Sequence, residues 1–165
     1  MPAAASLDHA RMLAARGGAE EALEAVESIL AEEPDNPDAL LLKARLLLER
    51  HDGEAALELH RRTVALRPSS CEARDGLARC LHALGRDAEA LEVARSARML
   101  LDEGDNFRHA GAVYLTMVWC LRELRQLREA LAVAEEGLSR CPDAILAQWA
   151  SLVEEELAES EKEEC

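Results

Sequence analysis

Aromatic residues are almost missing from this chain: one Phe, one Tyr and two Trp stand among 165 residues. Strand-built cores draw on aromatic and β-branched side chains, so this scarcity argues against an all-β interior. Lysine is nearly absent too, with only Lys43 and Lys162 beside seventeen arginines. No run of eighteen apolar residues occurs, which leaves no candidate for a membrane-spanning helix. The N-terminus MPAAASLDHARML lacks a basic start followed by an apolar segment, so no secretory signal is expected. Cysteine pairs at C-x-x-C spacing are also absent. The five cysteines, Cys71, Cys80, Cys120, Cys141 and Cys165, form an odd set that fits reduced thiols in a cytoplasmic protein. With a formal net charge of -14, phosphates would be repelled, so no nucleic-acid partner is expected.

What the chain has in quantity is alanine, leucine and valine, within a hydrophobic content of 49%. Alanine and leucine favour helix and let helices pack closely. The composition therefore predicts an all-α fold, at a length that suits one domain. Acids dominate the end of the chain, where seven glutamates share the last twelve residues with the single Lys162. The reading puts an acidic tail at 160–165 and expects most of the last twelve residues to be solvated and frayed.

A pattern recurs along the sequence. The pairs Ala22-Leu23, Ala56-Leu57, Ala90-Leu91 and Ala130-Leu131 follow one another at intervals of 34, 34 and 40. Leu13, Leu47, Leu81 and Leu121 keep the same intervals, as do Ala10, Ala44, Ala78 and Val118. Each unit reads as two amphipathic helices, with apolar positions such as Leu40, Ala44, Leu47 and Leu48 at helical spacing. Asn36 before Pro37 predicts a helix start, and Ser69 with Glu72 has capping-box spacing. Pro34, Pro68 and Pro142 stand where second helices should stop.

A 34-residue helix-turn-helix unit resembles the tetratricopeptide repeat, over nearly the whole chain. Ala10, Ala44 and Ala78 match the family's small residue in the first helix, and Ala22, Ala56, Ala90 and Ala130 its alanine in the second. Leu13, Leu47, Leu81 and Leu121 replace the usual tyrosine, yet stay apolar. The resemblance implies a right-handed α-solenoid of about nine helices, one domain over residues 1–160. Its repeats fall near 3–36, 37–70, 71–110 and 111–144, and a capping helix near 143–159 covers the last apolar face. The six extra residues before the fourth unit are expected to lengthen the second helix of the third repeat or the first helix of the fourth, or both, with Gly104 to Asn106 as the corner.

The resemblance also implies that the first helices line a concave groove for a peptide or a partner's helix. Matching positions there give Arg11, Arg45, Arg79 and then Trp119. One turn earlier the row is Leu7, Leu41, Asp75 and Leu115; one turn later it is Ala14, Leu48, His82 and Arg122. Leu146, Trp149 and Val153 of the cap join the same side if the register continues. Guanidinium forks suit carboxylates and tryptophans suit apolar anchors. The groove therefore points to an acidic peptide with a hydrophobic anchor. The competing readings are that the arginines only solubilise the surface, and that the tryptophans close the junction with the cap. A two-carboxylate clamp of the kind that grips heat-shock-protein tails is not expected, because its places hold Leu7, Arg11, Leu42, Glu72 and Gly76.

Nothing in the sequence has the spacing of a catalytic or metal motif. The five histidines, His9, His51, His60, His82 and His109, do not pair with Cys or with each other at ligand spacing. His60 reads as a packed core residue, and Cys80 and Cys120 as small apolar filling. No enzyme activity, cofactor or metal is expected. The leading reading is an adaptor that binds a partner protein in its groove. The alternatives are self-assembly as a homodimer or larger homo-oligomer, through the cap or the groove, and a bacterial secretion-type chaperone.

Overall fold

The computed structural model describes residues 6–102 and 104–163. Nine α-helices and no strand form among the described residues. Contacts divide the chain into two compact units, Met1–Pro68 and Ser69–Cys165.

The first unit contains α1 (Leu7–Ala15), α2 (Ala19–Glu32), α3 (Pro37–Glu49) and α4 (Gly53–Leu66). Its starts are set by side-chain caps. Ser6 accepts from the His9 amide at 3.2 Å, Asn36 from Ala39 at 3.0 Å, and Asp52 from Ala55 at 3.4 Å. Each such cap is worth about 1 kcal/mol, and Pro37 enters α3 where its missing N–H costs nothing. Small residues let the helices close on one another: Ala10, Ala22, Ala44 and Ala56 are fully buried. Around them Leu23, Val26, Leu42 and Leu46 complete a core that needs no aromatic ring.

The second unit contains α5 (Cys71–Ala83), α6 (Asp87–Arg98), α7 (Ala110–Glu123), α8 (Leu127–Arg140) and α9 (Ala144–Glu163). The cap of α5 is Ser70, which accepts from Ala73 at 3.2 Å, and not Ser69 as the box spacing suggests. The six extra residues also go elsewhere than expected. α6 has twelve residues and α7 fourteen, so neither helix grows by that amount; the insertion forms a turn and a 3-10 helix at Gly104–His109. Asn106 holds it in place. Its amide donates to the carbonyls of Ser69 and Leu100, both at 3.1 Å, and its Oδ1 accepts from the Cys71 amide at 3.1 Å. One side chain thereby supplies the hydrogen bonds that a longer helix would have made internally.

Every hairpin turns in the same way. Two residues beyond each first helix the backbone adopts positive φ: Gly17 (82°), His51 (63°), Gly85 (71°) and Arg125 (59°). The amide that follows each of these donates to the carbonyl of Leu13, Leu47, Leu81 or Leu121, at 2.8–3.0 Å. This is a Schellman closure. The repeating leucines thus carry the repeat in their carbonyls as well as in their side chains.

α9 runs to Glu163, beyond the span read from the sequence. Asp143 starts it by accepting from Ile145 and Leu146 at 2.9 Å, and an Arg128–Glu161 pair at 2.9 Å supports its last turns. Leu146 and Val153 are fully buried, so they seal the cap against its neighbours instead of lining an open surface.

Candidate protein-binding surface

In the first unit, α3 presents Leu41, Arg45 and Leu48 one turn apart, with the leucines half-buried and the arginine exposed. Arg45 makes no ion pair among the described residues. Arg11 of α1 is also exposed but engaged, 3.7 Å from Asp8 and 3.9 Å from Asp38. Asp38 itself is gripped by Arg67, whose two Nη atoms donate to its two oxygens at 3.0 and 2.8 Å. The hydrogen bond from Arg67 holds the Asp38 carboxyl below its ordinary pKa, against the opposing effect of burial.

In the second unit α5, α7 and α9 bring aromatic side chains together. The His82 ring stacks on Trp119 with centroids 5.9 Å apart and planes inclined by 19°. Trp119 meets Trp149 edge-on at 6.0 Å, a favoured geometry for aromatic pairs. All three side chains are half-buried, as is Leu115 one turn before Trp119. The Trp119 Nε1–H is shielded from solvent and meets no acceptor among the described residues; such an orphan donor costs about 1–3 kcal/mol. Stacking, not a hydrogen bond, holds this indole.

Arg122 closes the far side. Its Cζ lies 5.6 Å from the Trp149 ring centroid, and its Nε and Nη2 donate to Glu156 at 2.8 and 2.6 Å. Its charge is therefore spent within the chain. Arg79, one turn before His82 on α5, is exposed. It makes no ion pair among the described residues, though its charge acts on Asp75.

Asp75 departs from the expected row of ligand-facing residues, because it is buried between α5 and α7. It accepts from the Thr116 hydroxyl at 2.8 Å. Burial raises its pKa, opposed first by that hydrogen bond and then by the charge of Arg79.

Cysteines behave mostly as apolar filling. Cys71, Cys80 and Cys120 are buried and, like Cys141, form no disulfide among the described residues; Cys165 lies outside them. Burial pushes the Cys71 thiol up to about 11 and, with help from the Asp87 charge, Cys120 up to about 12. Yet Cys120 is not isolated. His82, Asp87 and Cys120 place one ligand atom each within 4.8 Å of the others. Sequence spacing hid this cluster, since its members are 5 and 33 residues apart in the chain. Residues 69–165 also pair Trp149 and Glu156 with the expected surface, and neither has a counterpart in the earlier repeats.

Helix hairpins repeated at a near-constant interval, with exposed arginines and partly exposed tryptophans, define a helical-repeat scaffold. Residues 13–70 match the tetratricopeptide-repeat family, and the chain shares its fold with solved tetratricopeptide-repeat proteins. TTC0263, from Thermus thermophilus, is 22% identical, with a TM-score of 0.78 over 92% of this chain and 80% of its own. PilF of Pseudomonas aeruginosa is 15% identical, with a TM-score of 0.80 over 93% of this chain and 68% of its own. YrrB, described as a tetratricopeptide-repeat protein with an unusual peptide-binding site, is 18% identical, with a TM-score of 0.66 over 89% and 73%. At these identities the likeness is one of fold. No curated protein matches the chain in sequence. Among the described residues no helix is long and apolar enough to cross a membrane.

Proposed function

We propose that this chain is a non-enzymatic adaptor that docks a segment of a partner protein on exposed faces of its first helices. Trp119 and Trp149 serve as apolar anchors, and Arg79 pairs with a carboxylate of the segment. The observation that carries this reading is the half-exposed His82–Trp119–Trp149 stack on three separate helices. Tryptophan and arginine dominate binding hot spots because they combine large contact area with directional donors. Helices already folded spare the complex much of the ordering cost. Arg11 and Arg122 contribute less than their place in the repeat suggests, since each already faces carboxylates of the chain itself. The peptide-binding site described for YrrB supports such a role for this fold. Free thiols suit a reducing compartment such as the cytoplasm.

The test is isothermal titration of acidic peptides with and without a leucine or phenylalanine anchor. Trp149→Ala and Arg79→Glu are each expected to weaken binding at least tenfold. Equal affinity for wild type and both variants would defeat the proposal.

A second reading rests on α9, where Ile145 and Leu152 are 55% and 37% exposed and lie two turns apart. Burying them against another copy would give a homodimer. Sedimentation at micromolar concentration decides it, because a strict monomer removes this reading.

A further inference from the structure

His82 lends its ring face to the docking stack proposed above, but its Nδ1, Asp87 and Cys120 have no part in that docking, and their ligand atoms converge. His82 lies in the last turn of α5, Asp87 in the first turn of α6, and Cys120 on α7. His82 Nδ1 and Asp87 Oδ1 are 2.5 Å apart, and all three ligand atoms fall within 4.8 Å of one another. From these placements we infer that residues 82, 87 and 120 form a binding site for a zinc-like divalent cation that ties the third helical hairpin to α7.

The donor set selects the ion. One thiolate, one imidazole and one carboxylate match zinc, whereas calcium and magnesium demand oxygen ligands in greater number. Bonds of about 2.0–2.3 Å place tetrahedral ligand atoms roughly 3.3–3.6 Å apart. The His82–Asp87 pair must therefore open slightly while the sulfur moves closer, shifts that side-chain rotations can supply. The backbone is already fixed. The Gly85 amide donates to the His82 carbonyl at 2.9 Å and the Arg86 amide to Leu81 at 2.9 Å, so the turn spaces His82 from Asp87 rigidly. On its other side the imidazole is held by the stack with Trp119.

Charge and access also agree. A thiolate and a carboxylate together cancel a divalent charge, so the occupied site is neutral where Cys120 is fully buried. The His82 and Asp87 side chains are 27% and 15% exposed, which gives the ion a path from solvent. On binding, the Cys120 sulfur exchanges its proton for the metal and releases that proton to water. The imidazole keeps its proton on Nε2 while Nδ1 becomes the ligand. Solvent or a partner's side chain takes the fourth position, as in open three-ligand sites.

The test is titration of the full chain carrying Cys165→Ser with Co2+, followed by absorbance. One equivalent is expected to produce a thiolate-to-cobalt charge-transfer band together with tetrahedral d–d bands, both displaced by Zn2+. Cys120→Ser should abolish the charge-transfer band, and Asp87→Asn should weaken binding at least tenfold. Cys141→Ser should leave both unchanged. Circular dichroism confirms that each variant is folded; if Cys120→Ser is not, Asp87→Asn and His82→Gln decide the matter at half-exposed positions. Absence of the band, its survival in Cys120→Ser, or cobalt binding without a thiolate signature (a cation held on the acidic surface only) would each overturn the inference. Peptide affinity is read separately, so failure here leaves the docking proposal standing and the reverse holds too.

Discussion

Arg122 of α7 forks onto Glu156 of α9, donating from Nη2 at 2.6 Å and from Nε at 2.8 Å, while its guanidinium lies over the ring of Trp149. Arg122→Ala removes the fork and the cation–π contact together. The loss should lower unfolding free energy by about 1 kcal/mol, since the pair is partly exposed. Arg122→Lys should recover less than half, because an ammonium cannot fork a carboxylate. Urea denaturation measures both, and an unchanged midpoint in Arg122→Ala would contradict the role given to the pair.

The turn positions give a prediction in two directions. His51 and Arg125 adopt φ of 63° and 59°, where glycine sits in the other two hairpins. A side chain in that conformation costs about 1–2 kcal/mol, part of which is offset by glycine's greater freedom when unfolded. His51→Gly and Arg125→Gly should therefore each stabilise by about 0.5–1 kcal/mol. Gly85→Ala should destabilise by a similar amount even though nothing lies within 4 Å of the added Cβ. Thermal melts of the three variants should show this pattern of signs.

Gly137 is required for a different reason. A Cβ there would meet Leu146 Cδ2 at 2.7 Å and Tyr114 at 2.7 and 2.9 Å. Those residues are fully buried and have little room to retreat. Gly137→Ala gains helix propensity, worth about 1 kcal/mol, yet overpacking typically costs about 1–3 kcal/mol. A net loss of stability is expected. A stabilised variant would show that α7, α8 and α9 pack less tightly than described.

Two aspartates should answer pH with opposite signs. Asp75 has its folded pKa raised by burial, so its ionisation opposes folding. That cost is absent below the unfolded value near about 3.9 and grows until pH passes the raised folded value. Asp75→Asn keeps an acceptor for Thr116 and should raise stability at neutral pH, with the advantage fading below about pH 4. Asp38 has its folded pKa lowered by Arg67. Its stabilisation is present above the unfolded pKa and lost as pH falls through the folded one, so Asp38→Asn should destabilise at neutral pH and converge on wild type in acid. Chemical denaturation between about pH 3 and pH 7 separates the two.

The repeat was legible because helix hairpins that pack the same way need the same small and branched residues at the same intervals. Ala10, Ala44 and Ala78 are all fully buried as that logic requires. The insertion was not, because a count of residues does not say whether they extend a helix or form a turn, and the hydrogen bonds of Asn106 settle that question locally. Interval logic also treats Asp75 as the equivalent of Leu41, although a buried carboxylate with a hydroxyl partner satisfies the same position differently. Charge pairing across helices, as in Arg122 with Glu156, depends on rotamers that no periodicity encodes. The His82, Asp87 and Cys120 cluster was hidden for a related reason: three helices assemble it, and no short motif spans them.

Residues 1–68 contain no Phe, Tyr or Trp, whereas Phe107, Tyr114, Trp119 and Trp149 all belong to the second unit. Near-ultraviolet absorbance and indole emission are therefore blind to the first four helices, while far-ultraviolet dichroism sees all nine. Comparing the two signals during unfolding turns the uneven placement of chromophores into a measure of whether the halves melt together, with no label added.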